Sequence, residues 1–492
     1  MMDLGSAGDM ISLLRARRIS SVELLRELIR RIEASDDTIN SVVCRDFDRA
    51  LASARQADEV RARSIDSGHP PLLGLPMTVK ESFDVDGLPT TWGTLAYADH
   101  RATQDAESVA RLRQAGAIIF GKTNVPEWLA DCQTHNPLYG RTNNPWDATL
   151  TCGGSSGGSA AALAAGFTPA ELGSDLAGSL RSPAHFCGVF SHKPSYGLIS
   201  EVGHAIDGDT ARADLITIGP MARSAADLGL LFKVLAGPRV TDACAWHFNP
   251  PPPRNNSLAG YRIAVISDHS ACPVDDTINH AIEELANALR RECARVDSKP
   301  EGLIDLERCG RDYMMLMRAV GSKYASPDDL KKLAAESVAI GDDDWSYRAA
   351  VRRAAGLTHQ AWLAIDSRRA GYQRAWRAFF ESYDVVLCPV HPLPAFAHDT
   401  TRSRENRTHR VNGRDQDYNA YLFWMAIAGL SYLPCTTRPI GLVGGLPVGI
   451  QIIGPYLEDK TTLRLAELLD DLCPPLPYPY QADAAGRCHR LC

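Results

Sequence analysis

Two stretches rich in glycine and serine, "TCGGSSGGSAAALAAG" (Thr151 to Gly166) and "LGSDLAGSLRSPA" (Leu172 to Ala184), hold the residues best suited to chemistry. Six small residues in a row, Gly153 to Gly158, run into Ser159 and an alanine-rich segment that reads as a helix. That order sets backbone N–H groups and hydroxyls at a helix N-terminus, where negative charge is stabilised. The second cluster follows 24 residues later, counted from Ser155 to Ser179. A hydroxyl nucleophile beside a nest of N–H donors suits acyl transfer: one group attacks a carbonyl, and the other receives the charge that develops on its oxygen. A glycine–serine run alone is more often a loop, so the pair needs support from the rest of the chain.

One motif points to a different chemistry. "GAIIFGKT" (Gly116 to Thr123) satisfies the phosphate-loop pattern G-x-x-x-x-G-K-[ST]. Such a loop needs conformationally free residues between its glycines, but Ala117, Ile118, Ile119 and Phe120 have the composition of a buried strand. Asn124-Val125-Pro126 follows, and the proline disfavours the helix that must start there. A strand is expected, and nucleotide binding is set aside.

The elements that must position the two clusters alternate in α/β fashion. Helices are expected over Ala106 to Gln114, Ser159 to Ala165, Ala225 to Leu235 and Thr461 to Leu472. Strands are expected at Ala117 to Phe120, "YRIAVIS" (Tyr261 to Ser267), "DVVLCPV" (Asp384 to Val390) and "PVGIQIIG" (Pro447 to Gly454). This order predicts an α/β protein with one large domain, an extended mixed β-sheet covered by helices on both faces. "NPPPPRNNS" (Asn249 to Ser257) reads as a surface connection inside that fold, and 305–381 as a helical cap. The polar run His398 to Asp417 is expected to be a mobile loop.

The 492 residues are 45% hydrophobic and 23% charged with a net charge of -7, the profile of a soluble globular protein with no affinity for nucleic acid. Thirteen cysteines without a C-x-x-C pair, and His135, His185 and His192 without ligand spacing, support neither a metal site nor a redox motif. No cofactor is expected. Free thiols suggest a reducing, cytoplasmic setting, and no apolar run is long enough to span a membrane. The N-terminal "MISLLRARRISSVELLRELIRRIEAS" reads as an amphipathic helical pair rather than a signal peptide.

An ordered set of motifs resembles the amidase signature family of serine hydrolases: "GLPMTVKESFDV" (Gly74 to Val85), "GKTNVPEW" (Gly121 to Trp128), "NPWDATLTCGGSSGGSAA" (Asn144 to Ala161), "GSDLAGSLRSPA" (Gly173 to Ala184) and "GLPVGIQIIGP" (Gly445 to Pro455). The resemblance implies one domain over 1–475, with 476–492 as a tail. It implies a triad in which Ser179 attacks the carbonyl carbon, Ser155 relays its proton after a cis Gly154–Ser155 bond, and Lys80 is the base. The oxyanion hole implied is the backbone N–H groups of Leu176, Ala177, Gly178 and Ser179. Trp128 and Leu129 stand where related enzymes line the acyl pocket, and core packing suits both equally well. Ala177 departs from the usual glycine and would be strained if its φ had to be positive.

A lysine ordinarily titrates near ~10.4, so a neutral Lys80 requires burial, and Met77, Val79 and Phe83 are suitable neighbours. Asp175 and Arg181 are expected to brace the hole, and Cys132, Cys152 and Cys187 to be small buried hydrophobes. The reaction expected is hydrolysis of a small-molecule carboxylic amide, with esters or carbamates as extras, and the aromatic cap favours an apolar or aryl acyl group. Two alternatives stand beside it: the glutaminase subunit of a tRNA-dependent amidotransferase, and a non-catalytic scaffold. Against the first, Ser182 replaces the glutamine of that subunit's usual "GSDTGGSIRQPA". Homo-oligomerisation is left open.

Overall fold

Apolar runs spaced along the chain pair into an eight-stranded mixed sheet in this computed structural model, which describes residues 5–63, 68–292, 294–482 and 488–490. In spatial order the strands are Arg295–Asp297, Arg262–Val265, Val385–Pro389, Leu446–Ile453, Cys435–Val443, Phe190–Lys193, Thr217–Ala222 and Ala170–Asp175. The first three run parallel, and every later pairing is antiparallel. Val385–Pro389 and Ala170–Asp175 are buried at every position, which explains the unbroken apolar run of the former. Helices flank the sheet, as expected of the α/β class.

A smaller sheet carries the lysine. Pro76–Lys80 runs parallel to Ile118–Thr123, which pairs antiparallel with Val42–Arg45. The phosphate-loop lookalike is therefore a fully buried strand, and Lys122 donates to Thr90 Oγ1 at 3.0 Å and to the Pro89 carbonyl. The small sheet docks against the edge strand Ala170–Asp175: Thr78 N–H donates to Thr168 Oγ1 at 3.1 Å, and the Thr78 hydroxyl donates to Glu171. Two N-terminal helices, Ala7–Arg15 and Ser21–Ile39, open on capping boxes at Ser6 and Ser20.

Four helices, Leu306–Gly321, Pro327–Glu336, Tyr347–Ala355 and His359–Ser382, occupy the segment read as a cap. They close over a second apolar cluster that includes Tyr313, Leu316, Tyr421 and Met425, separate from the main core. The polar run 398–417 is not a structureless loop. It forms a turn at Arg404–Asn406 and a hairpin of Thr408–Val411 with Arg414–Asp417. The reason lies in its arginines: Arg407 pairs with Asp131, and Arg404 donates to Asn419 Oδ1 and the Ala130 carbonyl, both at 2.6 Å. In the tail, Tyr480–Ala482 pairs with Cys488–Arg490, and 483–487 and 491–492 lie outside the described residues.

Candidate active site

Lys80 ends its strand with the side chain wholly buried. Its Nζ donates to Ser155 Oγ at 2.7 Å and to Ser174 Oγ at 2.9 Å. Burial lowers its pKa from the ordinary 10.5 to about 7, against the opposing pull of Asp175, Glu171 and Glu81. Burial also raises the Glu171 carboxyl, to about 8. An amine that is often unprotonated near pH 7 can accept a proton from a hydroxyl.

Ser155 follows a cis peptide bond to Gly154. Gly154 is confined, since a Cβ there would lie 2.5 Å from the Asp131 carbonyl oxygen. Ser156 N–H donates to the Ser179 carbonyl at 3.1 Å, which ties the loop of the first cluster to the turn of the second. Ser155, Ser174, Leu176, Ala177 and Ser179 all line one cavity of about 350 Å³. The hydroxyls of Ser155 and Ser179 share that cavity without a hydrogen bond between them, so only the first link of the expected relay is formed here.

Asp175 shapes the turn. Its carboxylate accepts from the backbone N–H of Gly178 at 2.9 Å and Leu180 at 3.1 Å, and pairs with the buried Arg181 guanidinium at 2.9 Å. Burial would raise the Asp175 carboxyl, but Arg181 and these donors outweigh it and hold it at about 2. Gly178, one of four donors expected in the oxyanion hole, thus points its N–H at Asp175 and away from the cavity. Leu176, Ala177 and Ser179 keep their place on the cavity wall. The positive φ of the turn, 94°, falls on Gly178, so Ala177 is not strained by its extra methyl.

Trp128 and Leu129 line the cavity, half-buried, rather than joining the core. Trp92 and Tyr324 join them: the ring centroids of Trp92 and Tyr324 are 5.5 Å apart and those of Trp128 and Tyr324 6.0 Å. Cys132, Cys152 and Cys187 are buried, and burial pushes the Cys132 and Cys152 thiols up to about 12. His185 is buried between the Gly449 N–H at 2.9 Å and the Leu393 carbonyl at 3.0 Å, whereas His135 is exposed. No group of residues suited to hold a metal ion occurs among the described residues.

Sequence reasoning missed Ser174, the second acceptor for Lys80. The sequence carried no signal for it, because Gly173, Ser174 and Asp175 leave no strand pattern to read. Sequence reasoning also missed Tyr313, whose hydroxyl donates to the Leu176 carbonyl from the cap helix Leu306–Gly321, 137 positions away.

A buried lysine hydrogen-bonded to a serine thus shares one cavity with a second serine on a tight turn. The chain belongs to the amidase signature family: the Amidase family model matches residues 23–463. It is 33% identical to an indoleacetamide hydrolase of Bradyrhizobium diazoefficiens, over 92% of this chain and 84% of that one. It is 32% identical to a glutamyl-tRNA(Gln) amidotransferase component of Pseudomonas syringae pv. syringae, over 92% and 93%. Among solved structures, a chain from a vestigial protein complex linked to the origins of an s-triazine catabolic enzyme superposes with a TM-score of 0.80 at 28% identity, over 95% of this chain and 98% of that one. Enzymes of this family hydrolyse C–N bonds.

Proposed function

We propose that the protein hydrolyses linear carboxylic amides of small molecules through an acyl-enzyme on Ser179. The observation that carries the reading is the buried Lys80 amine, about 7 in pKa and 2.7 Å from Ser155 Oγ. Neutral Lys80 takes the Ser155 proton as Ser155 takes that of Ser179. Ser179 Oγ then bonds to the carbonyl carbon, and the N–H groups of Leu176, Ala177 and Ser179 receive the oxyanion. The proton returns along the same path to the departing nitrogen, the C–N bond breaks, and water repeats the sequence to release the acid. An aromatic wall of Trp92, Trp128 and Tyr324 supports an apolar or aryl part in the acyl group. Free, mostly buried cysteines among the described residues favour the reducing cytoplasm as its place.

A fluorophosphonate probe tests the reading. Labelling of one serine, mapped by mass spectrometry to Ser179 and lost in Ser179→Ala, is expected. Well-folded protein that resists the probe and cleaves no amide would instead be a scaffold. The likeness to an amidotransferase component supports a second reading as a glutaminase. Ser182 speaks against it, and ammonia release from glutamine faster than from other amides would decide for it.

A further inference from the structure

Several arginines of the cap and the neighbouring hairpin are neutralised by carboxylates. Arg352 pairs with Glu336 and Glu405, Arg368 with Asp312, Arg369 with Asp214 and Asp366, and Arg407 with Asp131. Arg318 and Arg404 make no ion pair among the described residues, and of the arginines in these segments they are the two that line the cavity holding Ser155 and Ser179. They flank one ring, with guanidinium carbons 5.7 Å (Arg318) and 4.8 Å (Arg404) from the centre of Tyr347. Arg404 is held by neutral groups alone, Asn419 Oδ1, the Ala130 carbonyl and, at 3.1 Å, Tyr421 Oη. Arg318 donates to Tyr347 Oη at 3.1 Å, and its Nε is buried without a partner.

The acids that line the same cavity, Glu201 and Asp209, are engaged by Arg239 and Lys323, so the two guanidiniums face the cavity with no carboxylate of their own and a ligand can supply the charge. Asp131 and Glu405 stand near but are engaged by Arg407 and Arg352. Arg404 is also close to the nucleophile loop: the segment Ala130–Cys132 accepts its hydrogen bond at one end and abuts Gly154 at the other. We infer that Arg318 and Arg404 form a carboxylate subsite, so that the preferred substrate is an amide bearing a second, ionised carboxyl group. This rests on the amidase reading and narrows it: the sequence-based expectation of a purely apolar acyl group omits the charged end. Free glutamine fits less well, because its ammonium would meet guanidiniums and no unengaged carboxylate.

The test uses matched amides in which a carboxylate replaces a methyl group, adipic acid monoamide against hexanamide and 4-carboxyphenylacetamide against 4-methylphenylacetamide. The wild-type enzyme is expected to favour the carboxylate in kcat/KM by ~10-fold or more, and Arg318→Gln and Arg404→Lys each to cut that ratio ~10-fold. A wild-type ratio at or below one, or a ratio unmoved in both folded variants, overturns the subsite. Should Arg404→Lys misfold, Arg318→Gln decides alone. Probe labelling at Ser179 keeps the two claims apart: a labelled enzyme indifferent to the carboxylate retains the function and loses the subsite. If no amide is turned over, calorimetry of adipate with wild-type protein and Arg318→Gln decides. Binding weakened in the variant supports the subsite, and absent or unchanged binding refutes it.

Discussion

At the scale of single residues, Lys80 trades stability for reactivity. The fall of its pKa from 10.5 to about 7 means that the folded state binds fewer protons than the unfolded chain between those values. Stability from this group therefore rises with pH across that window, and below about 7 the full cost applies, on the order of 5 kcal/mol before relaxation. Lys80→Met should abolish turnover and yet raise the midpoint of urea unfolding at pH 6, with the gain shrinking toward pH 10. A variant that is less stable than wild type at pH 6 would mean the amine is paired better than the geometry indicates. In the wild type, kcat/KM should climb with pH through about 7 as the amine loses its proton, and a flat profile from pH 6 to 8 would remove Lys80 as the base. Lys80, Ser155 and Ser179 were legible because each sits inside a motif dense enough to be recognised. Arg318 and Arg404 were not, since nothing in "MLMRAV" or "TRSREN" distinguishes them from the arginines that end up paired.

At the scale of elements, the turn from Asp175 to Ser179 depends on groups that lie outside it in sequence. Its strand was unreadable as a strand because glycine, serine and aspartate fill half of Ala170–Asp175, and only pairing with Thr217–Ala222 fixes it. Tyr313 donates to the Leu176 carbonyl, the oxygen of the same peptide whose N–H belongs to Ala177. That donation polarises the peptide and holds its plane, so Tyr313 is a positioning residue for the proposed oxyanion hole. Tyr313→Phe should lower kcat by about 10-fold with little change in KM and an unchanged pH limb, measured by steady-state kinetics across pH. An equal rise in KM would place the tyrosine in substrate binding instead. Gly178 is intolerant for two reasons: its φ is 94°, and an added Cβ would stand 2.6 Å from Met425 Sδ. Gly178→Ala should cost at least ~1 kcal/mol of stability and most of the activity, read by thermal unfolding and probe labelling together.

At the scale of the molecule, the order of helices and strands followed from apolar periodicity, but the joining of sheet, turn and cap did not, because it runs through residues hundreds of positions apart. Arg181 is the junction. Buried at the start of Arg181–Cys187, it pairs with Asp175, donates at 2.8 Å to Gln451 Oε1 of the central sheet, and donates at 3.1 Å to the carbonyl of Met425 in the second apolar cluster. Removing it strands a carboxylate in a dry interior and unties all three parts, a loss of ~3 to 5 kcal/mol. Arg181→Met should therefore lower the urea midpoint sharply and, by loosening the turn, abolish probe labelling even where the protein still folds. The acid limb gives an independent check. Because Asp175 sits at about 2 in the fold against 3.8 when free, its contribution is complete above about 4 and disappears as the pH falls toward 2. In the wild type this loss steepens acid unfolding below pH 4, and in Arg181→Met it should be gone, since an unpaired buried Asp175 protonates readily. Equal acid sensitivity in the two proteins would show that Asp175 draws its stability from the turn's N–H groups rather than from the arginine.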